Sequence, residues 1–399
     1  MIGRKIKRLR LQKGITQQAL IEGLFDRTYL SQIERGLKVP PRETLAILAS
    51  RLGVSVKLLT EYQEIVERVA HMLEEVRRTN DLDAARDAWE LALSVQAIEQ
   101  MVECAVEWAR VASVKDAVAI EVLEALNHTI MLMTSTKEHF DAALDLFMAR
   151  ANTYFYLGMF DQAVWAYRDL EQRHPPNEML GRVKVSLGST LMRSMNFQKA
   201  ADHFSQALAV PDITPLTKAR AHQGVGACYR HLNRWSEAVM HLETAGELFA
   251  TLEQRYRYMQ TRHALGVLWL DKLNFEKAET FFNEVHDYYR QHDMRFNEAQ
   301  LYEELARIAF YKRDYETCNA LCSHGLDQLN GHTAPAAGRF FIWKSWCFTA
   351  THQSDRANDA WQAAKSLIGP QFKRTLETID PNMTEGIRRS IKGDGLLGR

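Results

Sequence analysis

Apolar residues recur at the three-to-four-residue spacing of helices in two differently organised parts of the chain. Between residues 16 and 36, two short patterns of this kind flank a tight turn. Thr16 and Asp26 each precede one pattern, and their side-chain oxygens can accept hydrogen bonds from the free N–H groups of a first helical turn. Gly36 stands where the second helix must end. The stretch predicts a helix-turn-helix whose second helix lies in the major groove of DNA.

The second helix of this stretch has one apolar and one polar face. Leu30 and Ile33 lie on the inward face, and the outward side chains have lengths that reach base edges. Gln17 opens the first helix, where a phosphate is favoured, and Lys38 and Arg42 flank the next turn. The predicted DNA-contacting residues are Gln17, Arg27, Thr28, Ser31, Gln32, Lys38 and Arg42.

Residues 3–59 resemble the five-helix DNA-binding domain of phage repressors and xenobiotic-response-element (XRE) regulators. The matching residues are Arg10, Gly14, Thr16-Gln17, Leu20, Ser31 to Gly36, Pro40-Pro41, Leu45, Leu48 and Leu52 to Ser55. The resemblance implies a lambda-repressor-like fold and an ion pair between Arg10 and Glu34. We expect a last short helix, capped by Ser55, that ends at Leu59.

The turn at Leu24-Phe25-Asp26 is one residue shorter than the commonest repressor version, and it resembles that of the peptide-pheromone regulators of the PlcR and NprR type. That family implies a cytoplasmic, dimeric transcription factor with a tetratricopeptide-repeat (TPR) domain that binds a short imported peptide.

From residue 61 onward the pattern is a repeat, in which a short turn and an aromatic residue precede Ala, with Leu or an aromatic four residues later. From Ala163 the key positions recur every 37 to 40 residues, at Ala200, Ala238, Ala278, Cys318 and Ala357. Small residues let helices approach closely and aromatic residues fill the gap to the next pair, so each unit resembles a TPR. Residues 93–140 match poorly, and an atypical helical pair is expected there.

These patterns predict an all-α protein: an N-terminal helix-turn-helix domain followed by a right-handed TPR superhelix. The expected domains are residues 1–60 for DNA binding, 61–368 for peptide binding and dimerisation, and 369–399 for a capping helix and a polar tail.

Charge separates the same two parts. The chain has no formal net charge, but residues 1–60 carry twelve Lys and Arg against four acids, so +8 stands against −8 in the remainder. A basic head on an acidic body is typical of a small nucleic-acid module attached to another domain.

The inner face of a TPR superhelix is formed by the first helix of each pair, and its polar residues are the candidate ligand contacts. Asn and Gln can bond both N–H and C=O groups of a peptide, and Arg suits a carboxylate. The sequence favours a short peptide with an acidic group or free C-terminus near Arg182, Arg193, Arg220 and Arg230; solvated arginines or internal ion pairs are the alternative. The predicted peptide contacts are Asn152, Tyr156, Arg182, Ser189, Arg193, Arg220, Gln223, Arg230, Gln260, His263 and Arg307, with Asp271 and Glu303 on the same face.

Features of enzymes, metal sites and membrane proteins are missing from the sequence. The histidines are scattered, Gly224 and Gly226 lack the context of a phosphate loop, and no serine elbow is present. The five cysteines include no C-x-x-C and suit reduced thiols, although Cys318 and Cys322 share a helix face that could act as a redox pair. No apolar leader or membrane-spanning run is found. We expect no catalysis, no cofactor, no metal and a cytoplasmic location.

Three functions are consistent with these observations. The leading one is a homodimeric transcriptional regulator that binds an operator and whose TPR domain binds a signalling peptide. The second is a TPR scaffold that sequesters a signalling protein such as a response regulator, and the third is a repressor whose TPR domain only dimerises.

Overall fold

The computed structural model describes residues 2–112, 118–136, 143–329 and 334–379. Over these residues the regular structure is helical and no strand is found, which confirms the all-α prediction. The chain forms two compact units, residues 1–196 and 197–399.

The head of the first unit is built from four short helices and the start of a fifth. Three predicted caps are present: Thr16 Oγ1 accepts from Ala19 N, Asp26 Oδ1 from Tyr29 N and Ser55 Oγ from Leu58 N. A small apolar core, which includes Ile6, Leu20, Leu30, Ile33 and Leu48, holds these helices together. The helices are α1 (Ile2–Gln12), α2 (Gln17–Ile21), α3 (Arg27–Glu34), α4 (Arg42–Arg51) and α5 (Val56–Thr79).

Helix α5 does not end at Leu59, so the expected short helix is wrong. It continues to Thr79 and crosses the expected domain boundary at residue 60 without a break. No glycine or proline interrupts it. Its buried residues keep helical spacing from the head into the helical array that follows in the first unit, residues 82–193, here called the arm. Asn80, in a left-handed conformation, ends the helix. The buried positions are Leu59, Tyr62, Val66, Val69, Leu73 and Val76.

The rest of the first unit is an array of helices that pack against their chain neighbours. Trp89 and Trp108 contact one another, with ring centroids 6.0 Å apart, in a core shared by several of these helices. Two helices occupy the described part of the 93–140 region, where the repeat signal was weak. The helices are α6 (Leu82–Ser94), α7 (Ile98–Ala112), α8 (Ala119–Thr136), α9 (Ala143–Tyr156), α10 (Phe160–Gln172) and α11 (Asn177–Arg193).

The second unit shows the repeat packing most clearly. The key small positions Ala200, Ala238, Ala278, Cys318 and Ala357 are fully buried. In two repeats the aromatic residue four positions later, Phe204 or Phe282, fills the space left by a glycine on a neighbouring helix. A Cβ at Gly224 would lie 2.4 Å from the Phe204 ring, and one at Gly266 would lie 2.5 Å from the Phe282 ring. The helices are α12 (Phe197–Ala209), α13 (Pro215–His231), α14 (Trp235–Thr251), α15 (Arg255–Asp271), α16 (Phe275–Gln291), α17 (Arg295–Tyr311), α18 (Tyr315–Leu329), α19 (Ala334–Ala350), α20 (Ser354–Ile368) and α21 (Phe372–Thr378).

The predicted capping helix of the last segment corresponds to α21, which follows a 3-10 turn at Gly369–Gln371. The rest of the predicted 369–399 segment, from residue 380 onward, lies outside the described residues.

Candidate nucleic-acid interface and ligand cavity

Helix α3 presents the polar face that the sequence predicted. Leu30 and Ile33 are fully buried in the head core. On the other side, Arg27 and Thr28 are exposed, whereas Ser31 and Gln32 are half-buried. This arrangement leaves four hydrogen-bonding side chains on the solvent side of the helix, as entry into a major groove requires.

A chain of polar contacts links the head interior to this face. Arg10 Nε and Nη2 donate to Glu34 Oε1 and Oε2 at 2.6 and 3.0 Å, and both side chains are buried. The predicted pair is therefore confirmed. Gln17 Nε2 donates to Glu34 Oε2 at 2.7 Å, and Arg27 Nε donates to Gln17 Oε1 at 3.2 Å. The residue predicted to contact a phosphate thus also orients a residue predicted to contact a base.

The loop after α3 carries the other predicted contacts and two residues that the sequence analysis did not select. Lys38 and Arg42 are exposed, and Lys38 Nζ lies 5.3 Å from the centroid of the Tyr29 ring. Leu37 and Val39 are 70% and 73% exposed. Two apolar side chains beside the recognition helix α3 suit contacts with thymine methyl groups or sugars. Their position between Gly36 and Pro40, away from any apolar repeat, is the sequence feature that could have identified them.

Three head cations bind the arm instead of facing solvent. Lys5 Nζ donates to the carbonyl of Val95 at 3.2 Å, and Arg8 Nη1 donates to that of Gln96 at 3.0 Å. Arg4 forms an ion pair with Glu99 at 3.2 Å. The +8 charge of the head therefore serves partly to dock α1 on the turn between α6 and α7, and only partly to attract DNA.

Five predicted peptide contacts belong to the first unit. Asn152 Oδ1 accepts from Tyr167 Oη at 2.7 Å, and Ser189 Oγ donates to the carbonyl of Val185 at 2.9 Å, so both groups already have internal partners. Tyr156 and Arg193 are exposed and Arg182 is half-buried.

The second unit holds a cavity of about 520 Å³ lined by residues of helices α13, α15, α16, α17 and α19. Of the predicted peptide contacts, Arg230, Gln260 and His263 line it, as does Glu303. Its wall also includes residues that the sequence analysis did not select, because counting from the repeat motif reached α17 only at Glu303 and Arg307 and did not reach α19. The additional polar and aromatic lining residues are Tyr289, Phe296, Asn297, Gln300, Glu304 and Arg339.

Three other predicted contacts in the second unit do not line this cavity. Arg307, expected on the inner face, is only 4% exposed because its guanidinium donates to Asp271 Oδ1 at 2.8 Å. Gln223 Nε2 donates to Thr261 Oγ1 at 3.2 Å, and Arg220 is half-buried. Arg307 therefore forms an internal ion pair, which was the alternative to a ligand-binding arginine.

Ionisable groups at the cavity have shifted pKa values. Burial, with the nearby charge of Arg230, lowers the pKa of His263 to about 4, so this imidazole is neutral at pH 7. Burial raises the pKa of Glu304 to about 7. The carboxylate of Glu303 raises the pKa of Arg339. The cavity combines amides, aromatic rings and charged groups, which suits a small polar ligand with some apolar surface.

Within the described ranges, no group of three or more His, Cys, Asp or Glu side chains could hold a metal ion. Cys318 and Cys322 are both fully buried. No helix of the described chain is long and apolar enough to cross a membrane.

Comparison with known proteins assigns the head. The HTH_3 family, described as helix-turn-helix, matches residues 6–59. The chain is 42% identical over 66 residues to an uncharacterized HTH-type transcriptional regulator, y4dJ, of Sinorhizobium fredii, an alignment that covers 16% of this chain and 86% of the relative.

Solved structures match the helical architecture. The apo form of the quorum sensor NprR from B. thuringiensis superimposes with a TM-score of 0.62 at 13% identity, covering 92% of this chain and all of that one. A Rap protein complexed with Competence and Sporulation Factor gives a TM-score of 0.54 at 15% identity, covering 74% of this chain and 88% of that chain. Together with the family match of the head, these similarities confirm the predicted fold, a helix-turn-helix domain followed by a TPR-like helical array.

Proposed function

Because the chain belongs to the helix-turn-helix transcriptional regulators, we propose that it binds a specific operator and that a short peptide bound by its helical array changes that binding. The observation that carries the proposal is the combination of an exposed polar recognition face in the first unit with a mixed polar and aromatic cavity in the second.

The head supports sequence-specific recognition. Arg27, Thr28, Ser31 and Gln32 supply donors and acceptors for base edges, while Lys38 and Arg42 supply charge for phosphates. A dimer would place two such helices about one helical turn of DNA apart, or a multiple of it, so we expect a two-fold operator.

The cavity supports a peptide ligand. Gln260, Asn297 and Gln300 place amide groups on its wall, and an amide can bond both the N–H and C=O groups of an extended peptide. Phe296, 48% exposed at the wall, offers apolar surface for a side chain. Signalling roles of proteins with this fold support the same proposal, since NprR is a quorum sensor and the Rap protein was solved with Competence and Sporulation Factor.

A scaffold that binds another signalling protein is the second candidate, favoured by the fold shared with the Rap protein. The two candidates differ in whether the head must bind DNA for the protein to act.

Fluorescence anisotropy with the full chain tests the proposal, using labelled duplexes tiled across the intergenic DNA beside its gene at moderate salt. One duplex should bind with an affinity at least about a thousandfold above scrambled DNA. A short synthetic peptide from any small secreted product encoded nearby should shift that affinity, and by linkage the duplex should shift the affinity for the peptide equally. Equal binding to every duplex, with and without the peptide, would favour the scaffold.

A further inference from the structure

Both arginines that line the cavity are already bound to carboxylates. Arg230 Nη1 donates to Asp271 Oδ2 at 2.7 Å, and Asp271 Oδ1 also accepts from Arg307 at 2.8 Å. Arg339 Nε lies 2.9 Å from each carboxylate oxygen of Glu303. A ligand carboxylate would have to compete with these internal partners, so the arginines are poor anchors for an acidic group.

Glu304 is the exception among the acids of this wall. It lines the cavity, and its side chain is 20% exposed. Its closest charged partner is Arg307 Nη1, 3.6 Å from Oε2, which is an ion-pair distance but too long for a hydrogen bond. Among the residues that the structure describes, none donates a hydrogen bond to this carboxylate. A partly buried carboxylate in this position needs a donor, and the cavity is where one can be placed.

The other charged groups around Glu304 already pair with one another. The neighbouring helices contribute Arg230 from α13, Asp271 and His263 from α15, Glu303 and Arg307 from α17, and Arg339 from α19. With His263 neutral, three cations stand against Asp271 and Glu303 before Glu304 is counted. An ionised Glu304 brings the group to neutrality, and the cation closest to it, Arg307, is already bound to Asp271.

We propose that Glu304 binds a positively charged group of the ligand, an ammonium or a guanidinium, inside this cavity. The inference rests on the proposed function and specifies the chemistry of its ligand. It differs from the sequence prediction of an acidic group near Arg182, Arg193, Arg220 and Arg230, of which only Arg230 lines this cavity. A charged donor supplies the missing hydrogen bonds. The exposed ring of Phe296 lies on the same wall and offers a face for a cation, and Asn297 and Gln300 are placed to bond the adjoining peptide groups.

Binding of a cation at Glu304 should change the number of protons that the protein holds. Because burial raises the pKa of Glu304 to about 7, the carboxyl is partly protonated at neutral pH. An arriving cation favours the ionised form, so a proton is released to the buffer. An arriving carboxylate would favour the protonated form, and a proton would be taken up instead. The direction of proton exchange therefore distinguishes a basic ligand from an acidic one.

Titration calorimetry of the full chain at pH 7 tests the proposal with small blocked amino acids. The probes are N-acetyl-arginine methylamide, its neutral citrulline counterpart and N-acetyl-glutamate methylamide, each in buffers of different ionisation enthalpy. We expect the arginine probe to bind at least about tenfold more tightly than the citrulline probe, ~1.4 kcal/mol, with proton release. N-acetyl-lysine methylamide and glycinamide then distinguish a side-chain cation from an N-terminal one.

Two variants complete the test. E304Q keeps the shape of the side chain and should abolish both the preference for arginine over citrulline and the proton release. E316Q, at an exposed site on α18, should change neither, and circular dichroism should show both variants folded. Tighter binding of the glutamate probe, proton uptake, no measurable binding of the arginine probe, or an unchanged preference in E304Q would each overturn the proposal. None of these results bears on operator binding, so the proposed function is judged separately by the DNA titration.

Discussion

Arg10 and Glu34 form a buried two-point ion pair that joins α1 to the C-terminal end of the recognition helix. The same helices touch through their backbones, since a Cβ at Gly3 would lie 1.7 Å from the carbonyl oxygen of Ile33. Helix α1 thus holds α3 on one side, while Lys5 and Arg8 hold the arm on the other. The orientation of the recognition helix is therefore tied to the arm through α1 as well as through the continuous helix α5.

Arg10→Ala should unfold the head at much lower denaturant than the wild type. Removing one partner leaves Glu34 buried without its cation, which costs about 3–5 kcal/mol in comparable sites. The loss in free energy of unfolding is measured by urea titration. Hydrogen exchange of the α3 amides serves as the probe, because it reports on the head itself. Arg35→Ala, at an exposed position beside Glu34, is the matched control and should be nearly neutral. A loss below about 1 kcal/mol for Arg10→Ala would contradict a structural role for the pair.

The double variant Lys5→Ala/Arg8→Ala should loosen the head from the arm without unfolding either. Both side chains donate to carbonyls of the α6–α7 turn, and losing two such partly exposed bonds costs about 1–2 kcal/mol. Amide exchange in α1 and in residues 94–97 should rise by about tenfold, while exchange in the head core stays slow. Lys7→Ala, on the exposed side of α1, provides the control. Unchanged exchange in the double variant would mean that α5 and the Arg4–Glu99 ion pair hold the head in place without these two bonds.

Arg27→Ala and Lys38→Ala should weaken DNA binding in different ways. Arg27 faces the groove, so its loss should reduce discrimination between operator and scrambled DNA by about 1–3 kcal/mol. Loss of Lys38 should weaken both duplexes alike and reduce the salt slope by about 1. Anisotropy titrations at several salt concentrations separate the two effects. Because Gln17 holds the Arg27 side chain, Gln17→Ala should show part of each defect, and a purely uniform effect of Arg27→Ala would reassign it to the backbone.

Acid should destabilise the second unit through His263. Its pKa falls from an ordinary 6.5 to about 4 in the folded protein, so the unfolded chain binds the proton more readily below pH 6.5. The free energy of unfolding should therefore fall as pH drops from about 6.5 towards 4, by up to about 3 kcal/mol from this group. His263→Gln should flatten that part of the pH profile in denaturant titrations, whereas His352→Gln, at an exposed position, should not. Parallel profiles for His263→Gln and the wild type would rule out this contribution.

The features predicted correctly from sequence are those with local or periodic causes. Caps such as Asp26 act within one helical turn. The spacing of Ala200, Ala238 and Ala278 shows the length of the repeat directly. The family resemblance predicts that α5 ends at Leu59, but no glycine or proline follows that residue, and the helix continues to Thr79. The cavity was predicted only in part, since which carboxylate pairs with Arg230 or Arg307 depends on helices distant in sequence. The turns before α16 and α18 use Leu273 and Arg313 in left-handed conformations, which residue type alone does not signal.

Two helical glycines with different surroundings test the repeat packing directly. A Cβ at Gly266 would lie 2.5 Å from the fully buried ring of Phe282, so Gly266→Ala should destabilise the second unit by about 1–3 kcal/mol. At Gly246 the nearest atom is Thr261 Cγ2 at 3.8 Å, an ordinary contact, so Gly246→Ala should be neutral or should stabilise its helix by up to about 1 kcal/mol. The melting temperatures of the two variants should shift in opposite directions from that of the wild type, or by clearly different amounts. Equal shifts would mean that the aromatic ring can move aside, and that close approach of helices at these glycines does not define the repeat.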